Sequence, residues 1–185
     1  MSEDISRSQR KKERNQRETR EWAYAILIAV VLFFVIRIFI FQPFNVSGPS
    51  MQETLYTKDK VMVNKLLYRF QEPERGDVVV LHAPEPEDAG KEFIKRVIAV
   101  AGETVSAENN HIYINGERIE EDYIPDTKRV NDFGPVAVPD GSVFVIGDNR
   151  INSKDSREFG PVETDHIVGR AEVIFWPFDR IELLW

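Results

Sequence analysis

Residues 93–100 read Phe93-Ile94-Lys95-Arg96-Val97-Ile98-Ala99-Val100, a run of β-branched and aromatic residues of strand length, with two cations set inside it. The composition predicts a β-strand, and the alternation places Phe93, Lys95, Val97 and Ala99 on one face. A lysine among those neighbours is desolvated, which favours the neutral amine and lowers its pKa. The alternative is an edge strand that uses Lys95 against aggregation.

Outward from this run the texture stays β from residue 42 to the end. Similar short runs occupy 60–65, 77–81, 112–119, 136–138, 142–146, 169–176 and 181–185. Turn residues separate them: Arg75-Gly76-Asp77, Pro139-Asp140-Gly141 and Gly147-Asp148-Asn149. Asn115-Gly116 between alternating residues predicts a hairpin with a type I′ turn. Residues 83–91 and 122–132 read as surface loops. The expected fold class is mainly β, an antiparallel sheet domain over 42–185.

Residues 1–21 are polar and mixed in charge and read as a cytoplasmic tail. Residues 22–41, WAYAILIAVVLFFVIRIFIF, have the length and apolarity of one transmembrane helix, with Arg37 the only charge in the span. The seven Lys/Arg of the tail keep the N-terminus inside and place 42–185 outside the cell. A removable signal peptide fits less well, because 38–41 are bulky and Pro49 follows the one segment that imitates a cleavage site.

Residues 42–185 hold sixteen Lys/Arg against twenty-six Asp/Glu, an excess of acid that argues against a nucleic-acid surface. The chain has no cysteine, which removes thiol catalysis, Cys-ligated zinc and disulfides together. His82, His111 and His166 stand in unrelated contexts without metal-ligand spacing, and read as ordinary residues. No cofactor or metal is expected; the polar segment 147–160 lacks the EF-hand pattern.

Between the apolar run and the first strand lies Phe44-Asn45-Val46-Ser47-Gly48-Pro49-Ser50-Met51-Gln52-Glu53-Thr54-Leu55. Gly48 and Pro49 predict a turn before Ser50, which either is a plain surface turn or lifts a hydroxyl clear of the strands. In 147–160, Asp155 and Arg157 are spaced to brace a loop, and Ser153 could orient an amine.

Taken together, Ser50-Met51-Gln52-Glu53-Thr54-Leu55, Arg75-Gly76-Asp77-Val78-Val79, Ile94-Lys95-Arg96-Val97 with Gly102-Glu103, and Gly147-Asp148-Asn149-Arg150 through Ser153, Asp155, Ser156, Arg157 and Gly160 resemble the successive boxes of type I (leader) signal peptidases. The likeness covers about residues 22–176, and the compact chain with one anchor resembles the Gram-positive-type subgroup. It implies a membrane-bound endopeptidase that removes signal peptides from exported precursors, with Ser50 as nucleophile and Lys95 as general base. It further implies that Ser153 orients the Lys95 amine, that Asp155 and Arg157 support its loop, and that the Ser50 backbone N–H serves the oxyanion hole. Phe44, Val46, Met51 and Ile94 would line shallow pockets for small side chains, beside which the precursor adds as a strand along 44–48 and 92–95. Gly48 stands where some relatives have a serine that completes the oxyanion hole, so that donor is absent. Two rivals are a Ser-Lys self-cleaving protein, which the apolar span disfavours, and a non-catalytic anchored β-domain that binds exported proteins.

Overall fold

A computed structural model describes the backbone of residues 2–125 and 130–185, and the side chains of these except for 2–14, 16 and 35–39. Two units result, 1–40 and 41–185, each described by itself. The first is one helix, α1 (Ser2–Phe39). Its described apolar side chains, among them Trp22, Leu27, Leu32, Phe33 and Phe34, are all exposed. Among the described residues no helix is long and apolar enough to cross a membrane, and the outer part of the expected span, 35–39 with Arg37, lies outside the described side chains.

The second unit is antiparallel β throughout, as its composition predicts. Its strands are β1 (Phe41–Asn45), β2 (Lys60–Asn64), β3 (Val78–His82), β4 (Glu92–Val100), β5 (Thr104–Glu108), β6 (His111–Ile114), β7 (Glu117–Arg118), β8 (Phe133–Ala137), β9 (Ser142–Ile146), β10 (Val162–Glu163), β11 (Ile167–Trp176) and β12 (Glu182–Leu183). The larger sheet runs β1-β2-β11-β3-β4-β9-β10, with β12 on β11; the smaller runs β7-β6-β5-β8. Asn115 and Gly116 both have positive φ, at 53° and 84°, as the type I′ turn between β6 and β7 requires. Part of the loop expected over 122–132 lies at 126–129, outside the described residues.

Strand β4 is central, and residues 94–99 are all buried. It pairs with β3 from Val78↔Arg96 to His82↔Glu92, and with β9 from Arg96↔Ile146 onward, so residues 92–95 have a β partner on one side only. A bulge between Val97 and Ala99 breaks the simple alternation. Phe93 and Val97 therefore pack in one cluster with Val79, Leu81, Val143, Val145 and Val162, while Ala99 turns into the cluster of the smaller sheet. The expected four-residue face is corrected to Phe93, Lys95 and Val97.

Candidate active site

Ser50 opens a compact turn between β1 and β2, closed by Gln52 N–H to the Pro49 carbonyl at 3.0 Å and Leu55 N–H to the Met51 carbonyl at 2.8 Å. Met51 and Leu55 are buried beneath it at 1% and 0% exposure, which leaves the Ser50 side chain above the core. Lys95 projects from β4 to meet it. Its Nζ lies 2.9 Å from Ser50 Oγ and donates to the carbonyl of Ile94 at 3.0 Å. The ammonium head also sits 5.2 Å from the centre of the Phe93 ring.

Lys95 is 3% exposed. Burial pushes its pKa down to about 8, with Arg157 acting in the same direction and Asp155 and Asp148 opposing it. A lysine at its ordinary value holds only about one neutral amine per few thousand molecules at pH 7, whereas a pKa near 8 leaves roughly a tenth neutral. Burial thus leaves a usable share of the amine neutral and able to accept a proton, and the Ser50 hydroxyl lies within its hydrogen-bond reach.

The loop after β9 packs against the serine turn. Asp155, wholly buried, caps the short helix α2 (Ser156–Phe159) and accepts from the Gly147 N–H at 3.0 Å. Both its oxygens also accept from the Arg157 guanidinium, at 2.8 and 2.7 Å. Arg157 in turn donates to the Arg150 carbonyl at 2.6 Å, so Asp155 and Arg157 hold the loop at both ends. Asn149 fastens the loop to the serine turn, its N–H donating to the Ser50 carbonyl at 3.0 Å and its side-chain amide to the Pro49 carbonyl at 3.1 Å.

Ser153 lies against the same turn, since a Cβ built on Gly147 would stand 2.3 Å from Ser153 Oγ and 2.3 Å from the Ser50 carbonyl oxygen. The Ser153 hydroxyl is buried and makes no hydrogen bond among the described residues. Its expected contact with the Lys95 amine is therefore not formed here. Val46, Met51 and Ile94 are 1–4% exposed and share one cluster with partly buried Phe44, so the four expected pocket residues form a floor rather than open walls. Among the described residues no contact joins any histidine to Ser50: His82 pairs with Glu92, and His111 Nδ1 lies 2.7 Å from the Asn109 carbonyl.

Gly48 has φ +88°, and a Cβ at this position would meet no atom within 4 Å, so only the backbone demands glycine there. Gly48→Ser is expected to lose about 1–2 kcal/mol of stability through that strain, without a steric clash. Chemical denaturation checks the stability, and a higher turnover in the variant would show that an added hydroxyl outweighs the turn.

Sequence reasoning did not find the pair beneath the turn. Arg96 donates to both oxygens of Asp148, at 3.0 and 2.8 Å, and to the Gly76 carbonyl at 2.8 Å. The hydroxyl of Thr54 donates to the same carboxylate at 2.5 Å, linking the serine turn to β4 and to the loop. Arg96 also stacks on Tyr123, 4.0 Å from its ring centre. The one signal for it in the sequence is a second cation inside an apolar strand, which demands a buried partner.

The family model described as "Signal peptidase, peptidase S26" matches residues 19–176. The chain belongs to that family. Signal peptidase I P of Bacillus subtilis subsp. natto is 38% identical over 92% of this chain and 96% of its own length. Signal peptidase I S of Bacillus subtilis strain 168 is 41% identical over 87% and 91% respectively. A crystal structure of a signal peptidase I from Enterococcus faecalis is 32% identical, with a TM-score of 0.47, covering 54% of this chain and 97% of that one. As an S26 family member the chain is a hydrolase of the serine peptidase class.

Proposed function

We propose that this chain is a Gram-positive-type signal peptidase I that removes signal peptides from exported precursors, with Ser50 as nucleophile and Lys95 as general base. The observation that carries the assignment is a buried, pKa-lowered amine 2.9 Å from a turn-borne hydroxyl. The neutral amine takes the Ser50 proton as Oγ attacks the scissile carbonyl, and the ammonium then protonates the departing amine. Hydrolysis of the resulting ester repeats the cycle, with Lys95 taking its proton from water. Asp155 and Arg157 hold the loop that carries Ser153, and Ser153 steadies the Lys95 amine once substrate tightens the site.

Residues 92–95 have an open edge on the β9 side, and β1 is the outer strand of its sheet, so an extended precursor segment has backbone to pair with on either wall. Phe44, Val46, Met51 and Ile94 form the floor beneath it and admit small side chains. Incubating the full chain in detergent micelles with an exported precursor should release a fragment whose new N-terminus follows a small residue. A precursor carrying Trp at that residue should be spared, and equal cleavage of both would sink the specificity reading.

Residues 22–41 serve as a single anchor, with 1–21 cytoplasmic and 42–185 facing outward and acting beside the lipid. Support comes from the apolar run and from its described side chains, which have no protein cover. Protease added to intact spheroplasts is expected to digest 42–185 and spare the tail. Digestion only after lysis would reverse the orientation.

A further inference from the structure

Lys154 follows Ser153 directly, and its ammonium is held by three carboxylates of the segment before β4. It pairs with Glu85, with Glu87 at 2.8 Å and with Asp88 at 2.7 Å. Glu87 and Asp88 belong to a single 3-10 turn, Pro86–Asp88, and Lys91 makes a second bond to Asp88 at 2.6 Å. One oxygen from each of the three acids lies within 4.8 Å of the others, so without the Lys154 charge they repel.

This clasp stands where the sheet has a gap. The β4–β9 ladder begins at Arg96↔Ile146, so no strand pairing ties residues 92–95 to the chain after Ile146. Among the described residues, three connections join this region to the chain after Ile146: the Arg96–Asp148 pair, the stacked rings of Phe93 and Phe159 with centroids 6.5 Å apart, and Lys154 with its acids. In the chain Ser153 falls between Asp148 and Lys154; it packs against Gly147, but among the described residues its buried hydroxyl makes no hydrogen bond and its carbonyl accepts a long contact of 3.5 Å from Arg157.

We propose that Lys154 is a positioning residue, which fastens the Ser153 backbone to the segment leading into β4 and so places the Ser153 hydroxyl for the contact with the Lys95 amine that forms once substrate tightens the site. The inference rests on the Ser50–Lys95 reading above and adds a residue that acts through Ser153. Its side chain is 32% exposed, so the neutral Lys154→Met leaves the core intact. The Glu85→Gln, Glu87→Gln double variant weakens the same clasp from the opposite side.

The test measures kcat and KM on one precursor for the full-length chain in micelles, with Ser50→Ala as the inactive reference. Lys154→Met and the double glutamine variant should each lose about tenfold in kcat with KM within about twofold, since a small displacement of a positioning group acts on the chemical step. Lys154→Arg should recover most of the rate, because the charge and its reach are kept. Wild-type kcat in Lys154→Met, or an equal loss in Lys154→Arg, overturns the proposal. So does a loss carried wholly by KM, which would make the clasp a substrate contact. Activity persisting in Ser50→Ala would instead overturn the Ser50–Lys95 reading itself, independently of Lys154.

Discussion

Lys95→Arg is expected to reduce precursor cleavage to the level of Ser50→Ala, a loss of at least about a thousandfold, although positive charge is kept. Removing the base or the nucleophile from a paired hydroxyl and amine disables the same step, so the two losses should be alike rather than additive. Arginine fails because a guanidinium does not give up its proton in a protein, whereas the buried Lys95 amine does so with a pKa near 8. The same value sets the pH dependence. The active form is the neutral amine, so kcat/KM of the wild-type chain should rise with pH through about 8 and level off above it. Initial rates from about pH 6 to 10, with circular dichroism to confirm that both variants stay folded, check the two statements together. Near-normal cleavage by Lys95→Arg would require another base and return attention to the histidines.

The second large effect is expected at Gly147. A methyl group there would stand 2.3 Å from the Ser50 carbonyl oxygen and 2.7 Å from Ser153 Cβ. Neither neighbour yields easily. The Ser50 carbonyl is held by the Asn149 N–H at 3.0 Å, and the Gly147 N–H is itself committed to Asp155 at 3.0 Å. Gly147→Ala therefore separates the serine turn from the loop that carries Ser153. Activity should fall by about a hundredfold, as displacements near 1 Å do at such sites, with a loss of roughly 1–3 kcal/mol in stability from overpacking. Gly134→Ala is the control, because its Cβ would meet nothing within 4 Å and its φ lies outside the left-handed region. A Gly147→Ala variant with wild-type kcat would mean that the contact between turn and loop is dispensable.

Much of the fold was legible in the order of residues, because period and punctuation are local properties. Strand β9 spans Ser142–Ile146 as its run of apolar residues predicts, and the Asn115-Gly116 turn follows from a residue pair that tolerates positive φ at both positions. Short strands escaped. β10 has two residues, too few for a pattern, and β1 begins inside the tail of the long apolar run. The bulge at Val97–Ala99 also escaped, since an added residue in a ladder leaves no mark on composition.

The candidate site divides along the same line. The sequence alone determined that a lysine lies inside an apolar strand, and that a serine follows a Gly-Pro turn, since each depends on neighbours within a few residues. Only the tertiary structure decided that the two meet, because Ser50 and Lys95 are 45 residues apart and their 2.9 Å approach depends on the order of the strands. It also decided that Arg96 answers Asp148 across 52 residues, that Lys154 answers Glu85, Glu87 and Asp88, and that Gly147 must be glycine. Charge pairing and close packing are properties of distance in space. A chain order carries no measure of that distance until the sheet has closed.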